Sequence, residues 1–218
     1  MHLARRWSVG RADQVVTVEN GIPDLSLPHL SLQRVARPDG PVRVVMTARF
    51  AAQKDQQLLI RAAALVPGLE VWLVGDGPLL AEAQALTQSL GVADRVKFLG
   101  SRSDVPEVLA QADVFALTSN YEGFPISTLE AMRAGLPVIV SDVGGAGEAV
   151  MPGVTGFIVP RGDLPELVRA LQVMVNNPER REAMGEASRG RFLSHYHLEG
   201  MLERTFDVYR GVLVSRGR

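Results

Sequence analysis

The chain has 218 residues, of which 46% are apolar, and a formal net charge of −1. This composition is typical of a globular domain, and the lack of any block of like charge argues against a nucleic-acid binder. The sequence contains no cysteine, which excludes disulfides, thiolate metal sites and a cysteine nucleophile. The absence of cysteine fits a cytoplasmic location, with peripheral contact to the inner face of a membrane left open. No apolar run reaches the roughly 18 residues of a membrane span, and the N-terminus lacks the apolar core of a signal peptide.

Short apolar runs and amphipathic stretches follow one another along the chain. The β-branched run VVTV at 15–18 predicts a first strand, the turn at 20–23 ends it, and residues 24–41 predict a long surface connection. Further strands are predicted at 42–47, 70–74, 96–99, 113–118, 138–141 and 156–159. Helices are predicted at 56–66, 79–90, 105–112, after Pro125, and then at 163–176, 178–193 and 197–214.

This strict alternation of strand and helix predicts an α/β fold. We expect a Rossmann-like parallel sheet with helices on both faces, right-handed crossovers and a helical C-terminal tail. Ligands in such sheets bind beyond the carboxyl ends of the strands. The polar segments that follow the strands are therefore the places to look for a site.

The stretch 119–135 (SNYEGFPISTLEAMRAG) is the most informative of these segments. It predicts a polar loop after a buried strand, then a short helix with Pro125 in its first turn and Gly135 at its end. Unpaired N–H groups at a helix N-terminus attract anions, and Gly123 permits close approach to the backbone. We therefore predict a phosphate site formed by the N–H groups of Phe124, Ile126, Ser127 and Thr128.

Two carboxylates frame this helix start, Glu122 in the loop and Glu130 about one turn inside the helix. A carboxylate repels phosphate, so both acids favour hydroxyl groups on either side of it. A nucleoside diphosphate sugar has that arrangement, with ribose at one end and the sugar at the other. Taken alone, each acid also fits a solvated loop or helix surface, and only their shared context favours a ligand.

Two cations follow the strand at 42–47, namely Arg49 and Lys54. Arginine binds phosphate as a fork and lysine as a point charge, so both residues are candidates to face a diphosphate. Ordinary surface charge is the alternative for each. Polar or glycine-rich segments also follow the neighbouring strands, at 75–78 (GDGP), 100–102 (GSR) and 144–148 (GGAGE).

Other chemistries have less support in the sequence. The glycine-rich segments do not complete the dinucleotide fingerprint, and there is no Walker A sequence or nucleophile elbow. No two aspartates stand in a D-x-D arrangement. His195 and His197 have a metal-binding spacing, but no third ligand stands nearby, so we predict no metal site.

The stretch 119–135 resembles the Glu-x7-Glu motif of retaining GT-B glycosyltransferases, specifically glycosyltransferase family 4, the group 1 glycosyltransferases. The similarity covers nearly the whole chain and is specific, because many short matches occur in the same order. The other matching segments are 18–22, 48–54, 73–78, 96–100, 135–138, 144–148 and 153–157.

The resemblance implies a role for each candidate residue. Arg49 and Lys54 would stabilise the leaving diphosphate, Glu122 would face the donor sugar, and Glu130 would face the ribose. The backbone after Gly123 would hold phosphate.

The resemblance also implies that Arg102 borders the base of the nucleotide. It implies a retaining transfer of a hexosyl group from a nucleoside diphosphate sugar, by default a UDP-sugar. It implies no cofactor and no metal, because fixed cations and a helix N-terminus meet the charge of the leaving group.

Members of this family carry a separate N-terminal Rossmann-like domain that binds the acceptor. We expect residues 1–14 to be a remnant of the segment between domains and 15–195 to be the nucleotide-sugar-binding domain, one half of a GT-B fold. Residues 196–218 would then form a helix that packs on the missing N-terminal half. The apolar residues of that helix predict an exposed patch, and hence self-association or a partner subunit: Phe206, Val208, Tyr209, Val212 and Leu213.

Two kinds of function remain open at this point. The first is the donor half of a retaining glycosyltransferase, inactive as an isolated chain. The second is a non-catalytic nucleotide-sugar-binding module or a subunit of a split glycosyltransferase. A nucleotide-sugar epimerase on the same fold has less support, because the Glu-x7-Glu match is to transferases.

Overall fold

The computed structural model describes residues 15–25 and 40–216. The predictions for 1–14 and for most of the connection at 24–41 lie outside these residues. The strands within them are β1 Val42–Thr47, β2 Leu69–Val74, β3 Val96–Gly100, β4 Val114–Leu117, β5 Val138–Ser141 and β6 Gly156–Val159. The helices are α1 Gln56–Leu65, α2 Leu80–Ser89, α3 Val105–Ala110, α4 Ile126–Arg133, α5 Leu164–Asn176, α6 Pro178–Arg191 and α7 Leu198–Arg216, with a π-helical turn at Phe192–Tyr196 before α7.

The six strands form one parallel sheet in the order β3-β2-β1-β4-β5-β6. The chain runs outward from β1 to β3, then returns to the other side of β1 and continues from β4 to β6. The direction of progress therefore reverses between β1 and β4, which opens a crevice at the carboxyl ends of these two strands. The predicted α/β fold with a Rossmann-like parallel sheet is confirmed.

Burial explains why these segments form strands and helices. Every residue of β4 and β5 is buried, as expected for parallel strands that are covered on both faces. Asp55 and Asp163 cap α1 and α5 by accepting hydrogen bonds from the N–H groups of Leu58 and Glu166 at 3.2 and 2.9 Å. The predicted boundaries of these strands and helices agree with the structure to within two residues.

The predicted strand at 15–18 is wrong. Residues 15–21 have no regular secondary structure, and the side chain of Val16 is 62% exposed. The residue that follows this segment, Ile22, pairs through its backbone with a distant part of the chain. It donates a backbone hydrogen bond to Tyr196 at 2.9 Å and accepts one from Leu198 at 3.0 Å. β-Branched residues favour a strand only where a neighbouring strand can pair with them, and here the pairing is a single bridge beside the start of α7.

The last helix leaves much of its apolar face exposed. Four of the five residues predicted to form a patch are exposed, namely Phe206, Tyr209, Val212 and Leu213, whereas Val208 is half-buried. That this helix packs on another domain stays a prediction. No helix in the described part of the chain is both long and apolar enough to cross a bilayer.

Candidate functional site

The crevice between β1 and β4 is bordered by two loops that run side by side. We call residues 48–55 the β1 loop and residues 118–125 the β4 loop. The backbone N–H of Asn120 donates to the carbonyl of Gln53 at 2.7 Å, and the Gln53 side chain donates to the carbonyl of Tyr121 at 3.0 Å. The Thr118 hydroxyl donates to the carbonyl of Asp55 at 2.9 Å. These hydrogen bonds fix the two loops against each other.

Lys54 of the β1 loop and Glu122 of the β4 loop form an ion pair across the crevice. The Lys54 ammonium lies 2.5 Å from Oε1 of Glu122, and the Ser119 hydroxyl donates to the same oxygen at 2.5 Å. The side chains are only 19% and 6% exposed, so the Glu122 carboxylate is held mainly by protein groups. Two residues that the sequence predicted to share a site are therefore in direct contact.

Arg49 lines a second part of the same sheet edge. It borders an open cleft of about 650 Å³ together with residues 75–78 and Ser101, which follow β2 and β3. Gly75 has a φ of +135°, and a Cβ at this position would lie 2.2 Å from the carbonyl oxygen of Ala48. Only glycine permits this approach, so bare backbone forms one wall of the cleft.

The N-terminus of α4 also opens at this edge. The backbone N–H groups of Phe124, Ile126 and Ser127 donate to no acceptor among the described residues, as the sequence predicted for an anion site. Thr128 differs from that prediction, because its N–H already donates to the carbonyl of Pro125 at 3.2 Å. Three of the four predicted donors are thus available to a ligand.

The glycine-rich loop after β5 supports the β4 loop from behind. Gly145 donates a backbone hydrogen bond to Gly123 at 2.8 Å. A Cβ on Gly144, whose φ is +53°, would lie 1.9 Å from the carbonyl oxygen of Glu122. The sequence predicted that this loop belongs to the site, and the structure shows that it packs against the backbone of Glu122 and Gly123.

Glu130 lies half-buried on α4 and accepts no side-chain hydrogen bond from the described residues. Burial raises the pKa of its carboxyl group, and the charge of Arg133 opposes this effect. A half-buried carboxylate to which no side chain donates a hydrogen bond is a candidate to accept hydrogen bonds from the hydroxyl groups of a ligand.

Arg102 stands apart from the other candidates. It is exposed after β3, and its guanidinium forms two hydrogen bonds with the carboxylate of Asp104, at 2.7 and 2.5 Å. The pKa of Asp104 is lowered by this partner. The structure brings Arg102 near the cleft that Ser101 lines but into no contact with the other predicted residues.

Three residues of the site were not identified from the sequence. Ser119 holds Glu122, while the Asn120 side chain donates to the carbonyl of Ala52 at 2.7 Å and accepts from Nε of Arg161 at 2.9 Å. The S-x-x-E spacing of Ser119 and Glu122 is a local signal that could have revealed the first contact. The contacts of Asn120 join distant segments and leave no local signal.

No cluster of three or more metal-binding side chains occurs among residues 15–25 and 40–216. The two histidines singled out by their spacing have local partners. His195 contacts the hydroxyl of Ser194, and Nδ1 of His197 lies 3.2 Å from a carboxylate oxygen of Glu199.

A Rossmann-like sheet with a polar crevice at its switch point is typical of ligand-binding α/β proteins. Comparisons with known proteins identify the family. The chain matches the family model of the glycosyl transferases group 1 over residues 31–191, and it belongs to that family. The motif resemblance found in the sequence is thereby confirmed.

Solved structures of similar fold agree. The HepE protein of Anabaena, in complex with UDP and glucose, aligns with a TM-score of 0.84 at 26% identity over 96% of this chain and 60% of that one. The sucrose-phosphate synthase of Thermosynechococcus elongatus aligns with a TM-score of 0.84 at 28% identity over 98% and 56%. The chain therefore corresponds to one half of a GT-B fold.

A curated relative is the GDP-mannose-dependent alpha-(1-6)-phosphatidylinositol monomannoside mannosyltransferase of Mycolicibacterium smegmatis. It is 34% identical over an alignment of 199 positions, which covers 85% of this chain and 50% of the relative. The chain spans about half the length of this and several other curated relatives that it matches.

Proposed function

We propose that this chain is the donor-binding half of a retaining glycosyltransferase. It holds a nucleoside diphosphate sugar in the crevice between the β1 and β4 loops and supports transfer of a hexosyl group to an acceptor bound by another domain or subunit. The observation that carries the proposal is the contact of Lys54 with Glu122 beside the free N–H groups at the start of α4.

The arrangement suits the charge that develops during transfer. When the bond between the anomeric carbon and the diphosphate oxygen breaks, its electron pair stays on the diphosphate. Lys54, held by Glu122, and the α4 N-terminus are fixed positive groups, and Arg49 lines the cleft at the same sheet edge. Together they are proposed to stabilise this charge in place of a metal ion.

Lys54 can serve the phosphate and Glu122 together. Its ammonium has three N–H donors, and only Oε1 of Glu122 accepts one among the described side chains. Two donors remain for phosphate oxygens. Oε2 of Glu122 accepts no hydrogen bond from the described residues, so it is free to accept one from a sugar hydroxyl.

Glu130 and Arg102 complete the proposed donor site. The Glu130 carboxylate would accept hydrogen bonds from ribose hydroxyls. Arg102 would border the base, where it first has to exchange part of its pairing with Asp104.

The nucleotide is proposed to be UDP by default. HepE, described above, was solved with UDP, whereas the mycobacterial relative is named for GDP-mannose. The experiment therefore has to include both bases. A cytoplasmic location also belongs to this proposal and can be tested by cell fractionation.

Calorimetry with UDP, GDP and ADP tests the donor site. We expect one of them to bind, and Arg49→Ala and Lys54→Ala each to weaken that binding by about tenfold or more, because each removes a charge-assisted hydrogen bond. Lys97→Ala is the matched control, since Lys97 is exposed and contacts the carbonyl of Asp94 away from the crevice. If none of the three nucleotides binds, or if both site variants bind as tightly as the parent chain, the proposal is wrong.

Transfer is measured with the acceptor-binding half supplied and the anomeric configuration of the product read by NMR. Retention of configuration supports the proposal and inversion contradicts it. Nucleotide-sugar binding without any transfer would favour the non-catalytic module instead.

A further inference from the structure

The side chain of Asn120 connects three loops at the edge of the crevice. Its amide nitrogen donates to the carbonyl of Ala52 in the β1 loop at 2.7 Å. Its amide oxygen accepts from Nε of Arg161, which lies just after β6, at 2.9 Å. Asn120 itself belongs to the β4 loop, so one side chain joins segments that follow β1, β4 and β6.

The contacts of Asn120 lie next to the ion pair between Lys54 and Glu122. Asn120 stands two residues before Glu122, and its backbone N–H donates to Gln53, the residue before Lys54. The Asn120 side chain thus adds a further hydrogen bond between the two loops from which Lys54 and Glu122 extend. The β6 segment has to reach past the end of β5 to supply Arg161, because β5 lies between β4 and β6 in the sheet.

Arg161 determines which way the Asn120 amide points. A guanidinium has only donors, so it can pair with the amide oxygen and not with the amide nitrogen. With the oxygen held by Arg161, the nitrogen faces the carbonyl of Ala52, where a donor is needed. Without Arg161 the amide oxygen loses its partner, and only the carbonyl of Ala52 still favours this orientation.

We propose that Asn120 is a positioning residue for the Lys54–Glu122 pair and that Arg161 acts through Asn120 by fixing its amide orientation. The consequence for donor binding rests on the proposed function. The consequence for the geometry of the pair does not, so the two parts can be tested separately.

The first test uses no ligand. The sequence contains two lysines, Lys54 and Lys97, so the rate of acetylation at Lys54 can be read by mass spectrometry with Lys97 as an internal standard. We expect Asn120→Ala and Arg161→Ala each to raise the Lys54 rate relative to Lys97 by about fivefold, the equivalent of one lost hydrogen bond. Arg169→Ala, which removes an exposed arginine of α5 paired with Glu166, should leave the ratio unchanged.

The second test measures UDP affinity and includes the double variant. We expect each single substitution to weaken UDP binding by about tenfold, because small misplacements of fixed groups are costly. If Arg161 acts through Asn120, Asn120→Ala/Arg161→Ala binds no more weakly than Asn120→Ala alone. A further loss in the double variant would mean that Arg161 meets the diphosphate directly, and it would overturn the positioning role.

Conservative replacement and folding controls complete the design. Arg161→Lys keeps a donor for the amide oxygen, so it should partly reverse both the rise in Lys54 acetylation and the loss of UDP affinity. A purely structural defect would not be rescued in both readouts. The melting temperatures should stay close to that of the parent chain. Because Arg161 is exposed, its variant tests the idea even if Asn120→Ala fails to fold.

The outcomes separate the two proposals. If UDP, GDP and ADP do not bind to the parent chain, the proposed function fails, and the acetylation ratios still decide the positioning role. If the ratios of both variants stay within twofold of the parent value, the positioning role is wrong whatever the chain binds.

Discussion

Glu122 and Glu130 lie in one short stretch of sequence but in different electrostatic surroundings. Glu122 is nearly inaccessible to solvent and is held by Lys54 and Ser119. Glu130 is half-buried, and no side chain among the described residues donates a hydrogen bond to its carboxylate. Burial raises the pKa of this carboxyl group. A carboxylate in such surroundings lowers the stability of the folded protein at neutral pH, as is expected for a group that binds a ligand.

Glu130→Gln should therefore stabilise the protein at neutral pH while weakening nucleotide binding. The raised pKa means that the contribution of Glu130 to stability is fully present below its ordinary value of 4.5 and is lost as the pH rises through the folded-state value. Glutamine stays neutral, so the gain in melting temperature should be present at pH 7 and vanish in acid. If Glu130 binds the ribose as proposed, UDP affinity should fall about tenfold, because a neutral acceptor replaces a charge-assisted one.

Thermal unfolding as a function of pH and calorimetry at pH 7 check this prediction. Glu186→Gln on the exposed face of α6 serves as the control. Arg133, the charge that opposes the shift, keeps Asp24 as a second acidic neighbour in the variant. A melting temperature that drops at pH 7 would contradict the expected sign.

At the level of elements, the loop after β5 is the support on which the β4 loop rests. Gly144 approaches the carbonyl of Glu122 so closely that no side chain fits, and its φ is positive. Gly153, also of positive φ, has no atom within 4 Å of where a Cβ would be. The two glycines therefore separate the effect of a clash from the effect of backbone strain.

We expect Gly153→Ala to lower the free energy of unfolding by about 1 kcal/mol, the cost of a left-handed backbone alone. Gly144→Ala should cost about 3 kcal/mol or more, because displacing the Glu122 backbone adds an overpacking penalty. Denaturant unfolding measures both. Equal costs in the two variants would show that the β4 loop moves away freely and is not supported by this contact.

Local patterns explain why the elements could be predicted. The apolar runs of β4 and β5 and the proline and glycine around α4 act over a few residues, so they can be recognised in the sequence. The segment at 15–18 has the composition of a strand, but the backbone contacts next to it involve Tyr196 and Leu198. The strand propensity of residues 15–18 gives no information about pairing partners that lie so far along the chain.

At the level of the whole molecule, α7 presents an apolar face that nothing in the described structure covers. Leu202, Phe206, Tyr209 and Leu213 follow one another at helical spacing, and their exposure rises from 42% to 71%. A row of exposed large apolar residues of this kind is uncommon on a monomer surface. The predicted self-association or partner subunit remains to be tested.

We expect the chain to bind an apolar fluorescent dye and to elute earlier than a monomer. Phe206→Ser/Tyr209→Ser should reduce both effects and change the free energy of unfolding by less than about 0.5 kcal/mol per site, because the residues are exposed. Glu203→Ser, at an exposed charged position of the same helix, is the control. A monomer that binds no dye would contradict the prediction.

The site as a whole was predictable in its parts but not in its assembly. Arg49, Lys54, Glu122 and the start of α4 could be assigned to the carboxyl edge of the sheet, because each follows a predicted strand. Strand order, which places β1 beside β4, could not be inferred from local pattern. The pairing of Lys54 with Glu122 depends on that order.

The bridge between Ile22 and His197 links the two ends of the described chain. During synthesis the segment around Ile22 emerges before the strands β1 to β6, while its partner His197 emerges after them. The sheet can assemble in the meantime, since domains fold as units from the N-terminus onward. Closure of this bridge should therefore follow assembly of the sheet, and a nascent chain halted before α7 should already protect the β1–β6 amides while leaving those near Ile22 open to exchange.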